Sequence, residues 1–179
     1  MSKYEAIHFV DTAQAVWNYS LFTGEDIHAF QQGTHSTLYQ LFGNKQIEVL
    51  DQKGTYFAVW APNATAVFVK GNFNDWSNEA HPLKVRLESS GIWEGFIPNI
   101  GQGEVYKYHI HGYKGMILDK GDPFAHYWEL RPLTASITWQ TKYEWKYLNS
   151  GCYSAPIKEY LRLTNDYPID FSEDDQRYF

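Results

Sequence analysis

The chain has 179 residues, of which 44% are hydrophobic, 18% aromatic and 20% charged. A chain of this composition can bury a core, and its length allows one β-sandwich of about 100 residues with flanking segments but no second full domain. The formal net charge of −6 and the absence of a Lys/Arg cluster argue against nucleic acid or an anionic membrane as partner, because both require a basic surface.

The N-terminal sequence, the apolar runs and the cysteine content bear on the cellular compartment of the protein. The start, MSKYEAIHFV, lacks the apolar segment of a signal peptide, and no apolar run approaches the roughly 20 residues of a membrane helix. Cys152 is the single cysteine, so an internal disulfide is impossible. We therefore expect a cytoplasmic protein.

Residues 1–52 are predicted to form a helical segment before the main domain, which we call the lead-in. In residues 11–21, Ala13, Val16, Trp17 and Leu21 fall on one helical stripe after the potential cap Asp11, which predicts a short helix. A second start signal and a glycine stop predict another helical turn or two over Asp26 to Gln31. Both pieces are too short to be stable alone and must dock on other structure.

From residue 53 to about 148 the pattern changes to the alternation of half-buried strands. Turn residues separate the runs, which recur at intervals of about ten residues. We predict strands at Thr55–Trp60, Ala64–Lys70, Leu83–Leu87, Ile92–Ile97, Glu104–His111 and Ala135–Trp139. Together they indicate an all-β fold, an antiparallel immunoglobulin-like β-sandwich.

Two places in this segment offer polar or aromatic groups to a ligand. The loop Gly71-Asn72-Phe73-Asn74-Asp75-Trp76 ends in a tryptophan, and an indole at the edge of a sheet is a common platform for a sugar ring. In the strand Glu104–His111, the alternation places Tyr106, Tyr108 and Ile110 inside and Lys107, His109 and His111 outside.

Six motifs in one order resemble a known family. The sequence is similar to the N-terminal carbohydrate-binding module (family 48) of bacterial glycogen branching enzymes, and the segments Phe30–His35 and Leu38–Gly43 resemble the lead-in of those enzymes. The motifs are FAVWAPNA, GNFNDW, GIWEGFIP, GEVYKYHI, GDPFA and RPLTASITW. Residues 149–179 depart from the family pattern and are of unclear origin. Their acidic C-terminal part predicts a solvent-exposed tail.

The resemblance implies an α-glucan ligand and a set of contact residues. Glycogen-targeting relatives hold glucan with a loop tryptophan and a strand lysine, which match Trp76 and Lys107 here. A further tryptophan expected after Lys107 is replaced by Tyr113, and Thr134 lies near a third family contact. The alternative for Trp76 is that it covers the sandwich edge or packs on another domain, with Lys107 merely solvated.

Other polar residues are more typical of a structural role than of a metal or catalytic site. His109 and His111 are spaced to chelate a metal, but with no further ligand placed nearby by sequence, a solvent-facing strand is the interpretation we favour. Asp122 precedes Pro123 and is assigned to a turn. The sequence predicts no metal site, no cofactor and no catalytic residue.

The resemblance further implies a parent enzyme that transfers α-1,4-linked glucan chains to 6-hydroxyl groups. The catalytic domain of such an enzyme is a barrel of about 250 residues, and this chain is too short to contain it. We therefore expect a catalytically inactive chain whose partners are α-1,4-glucan or glycogen and the absent catalytic barrel of the parent enzyme. Two alternatives stay open: a structural domain that packs on the catalytic domain without binding sugar, and a free-standing adaptor that targets a partner to glucan.

Overall fold

The computed structural model describes residues 11–86 and 90–140. In this part of the chain it contains one α-helix, nine β-strands and three short 3₁₀ turns. The helix, α1, spans Gly24–Gln31. The strands are β1 (Gly43–Val49), β2 (Gln52–Trp60), β3 (Ala64–Gly71), β4 (Lys84–Val85), β5 (Ile92–Pro98), β6 (Val105–Gly112), β7 (Ile117–Lys120), β8 (Tyr127–Trp128) and β9 (Ser136–Ile137).

The strands form two antiparallel sheets. The first sheet has the order β1-β2-β5-β4, and the second has the order β3-β6-β9-β8, with β7 also paired to β6. The predicted all-β, immunoglobulin-like antiparallel sandwich is therefore confirmed. No helix within the described ranges is long and apolar enough to cross a membrane.

The main core lies between the two sheets and follows from the alternation of the strands. Every second residue of β2, β3, β5 and β6 points into it, which removes large apolar side chains from water at about 1.5–3 kcal/mol each. Its buried members are Val16, Phe57, Val59, Val67, Val69, Leu83, Trp93, Ile97, Ile100, Tyr106 and Tyr108.

A polar cluster is built into this core around Asp122, which is fully buried. Its carboxylate accepts hydrogen bonds from the hydroxyls of Tyr106 at 2.5 Å and Tyr108 at 3.2 Å, and from the backbone N–H of Phe124 at 2.8 Å. Asn44 donates to the Tyr106 hydroxyl at 3.0 Å. Burial raises the pKa of Asp122 because desolvation disfavours the charged carboxylate. The assignment of Asp122 to structure is consistent with these contacts.

Residues 17–42, the part of the predicted lead-in before β1, fold onto the outer face of the first sheet. Trp17 exchanges two backbone hydrogen bonds with Phe96 of β5, at 2.7 and 3.0 Å. A second apolar cluster forms there. The buried members of this cluster are Trp17, Phe22, Ile27, Phe42, Val49, Tyr56, Ala58, Ile92 and Phe96. On the opposite, inner face of β5, a Cβ at Gly95 would lie 2.4 Å from a methyl carbon of Val16, so glycine leaves room for Val16 to enter the core between the sheets.

The helix predicted over residues 11–21 is wrong. Val16 packs in the core between the sheets while Trp17 packs in the outer cluster, and consecutive side chains can point in opposite directions only in extended backbone. Asp11 still makes the local hydrogen bonds of a cap, to the N–H of Ala13 and the side chain of Gln14, but they close a turn without a helix behind it.

The second predicted helix is confirmed, and it begins two residues earlier than predicted, at Gly24. Thr23 and Asp26 form a capping box: the Asp26 N–H donates to the Thr23 hydroxyl, and the Thr23 N–H donates to the Asp26 carboxylate at 2.8 Å. Gly33 follows the helix with a φ of +69°, as expected for a glycine that ends it.

Most of the predicted strands are confirmed as β2, β3, β5, β6 and β9, within a few residues. The exception is Leu83–Leu87, where only Lys84–Val85 is a strand and Val85 is 47% exposed instead of sharing the buried face with Leu83. Leu87, residues 141–148 at the predicted end of the sandwich and the predicted tail 149–179 lie outside the described residues. Strand β1 falls inside the segment read as a lead-in, and β7 and β8 were not predicted.

Replacing Phe22 by alanine should destabilise the fold by about 3–5 kcal/mol, because its buried ring packs 5.0 Å from Phe42 and would leave a cavity. Urea denaturation followed by tryptophan fluorescence measures this change. The control is Leu130→Ala, which removes a side chain that is 81% exposed and should change the free energy of unfolding by no more than about 0.5 kcal/mol. Equal effects of the two substitutions would show that the lead-in is not docked.

Asp122→Asn should become progressively more stable relative to the wild type as the pH rises. A carboxyl with a raised folded-state pKa contributes stability that is present below its unfolded value of about 3.9 and is lost as the pH rises through the folded value. Asparagine has no such titration, so the unfolding free energies of the two proteins should diverge by about 1.4 kcal/mol for every tenfold difference in proton affinity between the folded and unfolded carboxyl. Urea denaturation of both proteins from acidic to neutral pH tests this, and a difference that stays flat would contradict it.

Candidate functional site

The candidate site lies on the outer face of the second sheet, where β3 and β6 run side by side. In their register Lys70 lies directly opposite Lys107, and Gly71 lies opposite Tyr106. Because Tyr106 points into the core, its neighbour Lys107 points outward, on the same face as Lys70. The two lysines therefore lie side by side on this face, next to the loop that follows β3.

The loop that carries Trp76 is held rigidly at the end of β3. The side chain of Asn74 accepts a hydrogen bond from the Gly71 N–H at 2.9 Å and donates to the Val69 carbonyl at 3.0 Å. The Trp76 N–H donates to the Gly71 carbonyl at 2.8 Å. A Cβ at Gly71 would overlap the Val105 carbonyl oxygen, so only glycine fits where the loop leaves the sheet.

The backbone of this loop is strained at two successive residues. Asp75 and Trp76 have φ values of +52° and +57°, in the left-handed region that costs a non-glycine residue about 1–3 kcal/mol. The indole of Trp76 is nonetheless 40% exposed. The fold thus tolerates conformational strain while holding a large apolar ring partly in water.

Lys107 is positioned by the hairpin of β8 and β9. Its ammonium donates a hydrogen bond to the Thr134 hydroxyl at 2.8 Å. Thr134 is exposed and stands just before β9, which pairs with β6 through Tyr106 and Ser136. One donor of the ammonium is used in this contact, and a lysine has three.

Lys70 links the tryptophan loop to β7. Its ammonium contacts the carboxamide oxygen of Asn78 at 2.8 Å and the carboxylate of Asp119 at 2.9 Å. Burial, the largest single effect, raises the pKa of Asp119, but the hydrogen bonds from His109 and Lys70 and the positive charge of the Lys70 ammonium lower it overall. Asp119 is therefore an ionised carboxylate that neutralises Lys70.

The structure brings some of the proposed contact residues together and separates others. Lys107 and Thr134 are in contact, and the base of the Trp76 loop lies one residue pair away along β3 and β6. Tyr113 follows the opposite end of β6, where Gly112 pairs with Ala64, about 20 Å along the strand from the loop. Its side chain is 73% exposed.

The expectation that His109 faces solvent is wrong. His109 does lie on the outer face, but it is only 5% exposed, because Asp119 of β7 and the ring of Phe68 cover it. The sequence offered no register for β7, so the approach of Asp119 to His109 was not predictable. Within residues 11–86 and 90–140, no group of three His, Cys, Asp or Glu side chains converges on a metal position.

Lys70, Asn78 and Asp119 are the members of this surface that the sequence did not identify. The alternation of β3 already places Lys70 on the outer face. Its partners come from a loop and from the unpredicted β7, so no spacing in the sequence connects them.

Comparison with known proteins agrees with this architecture. Residues 41–125 match the family described as Carbohydrate-binding module 48 (Isoamylase N-terminal domain). A 1,4-alpha-glucan branching enzyme from Aromatoleum aromaticum is 44% identical over 131 residues, which is 73% of this chain and 20% of that enzyme. A second, from Nostoc sp., is 49% identical over 115 residues, 64% of this chain and 15% of that enzyme.

A pullulanase from Klebsiella pneumoniae, solved with maltotriose, is similar over 54% of this chain and 9% of that one, with 25% identity and a TM-score of 0.41. The chain thus spans no more than about a fifth of the length of the branching enzymes named above. Residues 41–125, which include the Trp76 loop and Lys107, thus match carbohydrate-binding module family 48, and the chain is similar in sequence to part of 1,4-alpha-glucan branching enzymes.

Proposed function

We propose that the chain binds α-1,4-glucan, such as glycogen, on the outer face of the second sheet, with Trp76 as the stacking platform. The observation that carries this proposal is the half-exposed indole on a strained loop whose backbone is fixed by hydrogen bonds. Backbone strain at an exposed aromatic residue is a cost that folding alone does not require.

The chemistry of the surface suits an uncharged sugar. One face of a glucose ring presents C–H groups, and an indole covers such a face with wide apolar area. Because the loop is fixed before the ligand arrives, little conformational entropy is lost on binding. The net charge of −6 does not oppose a neutral polysaccharide.

Lys107 and Thr134 supply hydrogen bonds beside the stacked ring. The ammonium keeps two donors after its bond to Thr134, and the hydroxyl of Thr134 both donates and accepts. Tyr113, at the far end of β6, is a further contact for chains long enough to cover about 20 Å of the strand.

In a longer protein this module would hold glucan near a catalytic barrel. The similarity to 1,4-alpha-glucan branching enzymes supports this role, since a tethered site raises the local concentration of substrate. The names of these relatives support glycogen synthesis as the pathway of the parent protein. The single cysteine is consistent with a location in the cytoplasm.

Trp76→Ala should weaken binding to glycogen at least about tenfold, because burial of one large apolar side chain against a ligand contributes about 1.5–3 kcal/mol. Affinity electrophoresis of the full chain in native gels with and without glycogen measures this loss. The matched control is Trp60→Ala, which removes an indole that is 55% exposed but lies on β2 of the other sheet. Unchanged mobility of the wild type in glycogen would favour the alternative that the aromatic surface only packs on another domain.

Lys107→Met should weaken glycogen binding by about three- to tenfold, the effect of removing one or two neutral-acceptor hydrogen bonds. Lys84→Met, on β4 of the first sheet, is the control and should bind like the wild type. Because the ligand is neutral, wild-type affinity should be the same at about 0.05 M and about 0.5 M salt. A steep loss of affinity with salt would instead indicate an anionic ligand.

A further inference from the structure

Two histidines on the outer face of β6 lie with their ring nitrogens close together. His109 and His111 are two residues apart on the strand, and their Nε2 atoms are 3.1 Å apart. On the adjacent strand, Asp119 lies opposite His109 in register, and its Oδ1 is 2.6 Å from His109 Nδ1. None of these three side chains is among the proposed sugar contacts.

The carboxylate decides which nitrogen of His109 carries the hydrogen. A carboxylate oxygen accepts hydrogen bonds, so the Nδ1 of His109, which lies 2.6 Å from Asp119 Oδ1, donates to it. The lone pair of a neutral His109 is then on Nε2, the atom that faces His111. A carboxylate that fixes a histidine through its second nitrogen is the usual support of a histidine that binds a metal.

The distance between the two Nε2 atoms suits a shared cation. Metal–nitrogen bonds of about 2.0–2.1 Å place two ligand nitrogens about 2.9 Å apart at a right angle and about 3.3 Å apart at the tetrahedral angle. The observed 3.1 Å lies between these two values. A strand position i and i+2 brings the imidazoles together without distortion, because both side chains point to the same face.

We propose that His109 and His111 chelate a late first-row divalent cation, such as Zn²⁺, Ni²⁺ or Cu²⁺, through their Nε2 atoms, with Asp119 orienting His109. The hydrogen now shared between the two Nε2 atoms must leave that position. His111 can take it at Nδ1, so the number of protons on the pair does not change. Water completes the coordination, since no third protein ligand converges there among the described residues.

The surroundings set the strength of this site. The Lys70 ammonium, 2.9 Å from Asp119 Oδ2, repels a cation, while the ionised carboxylate attracts it. The ring of Phe68 lies 5.4 Å from that of His111 and 6.2 Å from that of His109, measured between centroids, and shields one side from water. With two protein ligands the site takes imidazole-seeking metals, and Mg²⁺ and Ca²⁺, which prefer oxygen ligands, should not bind.

The test is titration of the full chain with ZnCl₂, followed by NMR of histidine side chains labelled with ¹⁵N. We expect the Nε2 resonances of His109 and His111 to move together and before those of the other histidines. His111→Gln, at a half-exposed position that leaves the His109–Asp119 pair intact, should weaken Zn²⁺ binding at least about tenfold. Asp119→Asn should weaken it about 10–100-fold.

The control is His28→Gln, an exposed histidine of α1, which should bind Zn²⁺ like the wild type. The proposal is overturned if His111→Gln binds as tightly as the wild type, or if Zn²⁺ moves all histidine resonances in parallel. A response to MgCl₂ equal to that to ZnCl₂ would also contradict it. No glucan is present in this experiment, so its outcome is independent of the proposed sugar site.

Discussion

The register between β3 and β6 is the constraint on which both the core and the candidate site depend. It runs from Ala64 opposite Gly112 to Gly71 opposite Tyr106, with one irregularity near Ala64. A slip by one residue would turn Tyr106 and Tyr108 out of the core and bury Lys107. The hydrogen bonds of the two tyrosines to Asp122 oppose such a slip, so buried polar contacts stabilise the geometry of the outer surface.

The two sheets have different outer faces, and the lead-in explains why. On the first sheet it covers Glu94, whose carboxylate accepts hydrogen bonds from Tyr56 and Ser20 and pairs with Arg86 at 3.1 Å. Burial is the main cause of the raised pKa of Glu94, and these partners limit the effect. Because the lead-in occupies this face, the outer face of the second sheet is the one left for a ligand.

Much of this could be predicted from sequence, and the exceptions have physical reasons. Strands with clean alternation, such as β2 and β6, were predicted, and the motif around Gly71–Trp76 identified the loop. The helix at residues 11–21 failed because spacings of three and four also fit an extended segment that packs on two layers, as Val16 and Trp17 do. The links from Lys70 to Asn78 and Asp119 depend on tertiary register, which one sequence does not contain.

We propose that glucan lies across β3 and β6 against the Trp76 loop. The most direct measurement is a map of backbone amide chemical shifts on titration with a maltooligosaccharide. If glucan binds there, the shift changes should be concentrated at residues 72–78, at Lys107 and at Thr134, with α1 and β1 unaffected. Changes confined to the first sheet, or no changes at saturating sugar, would contradict it.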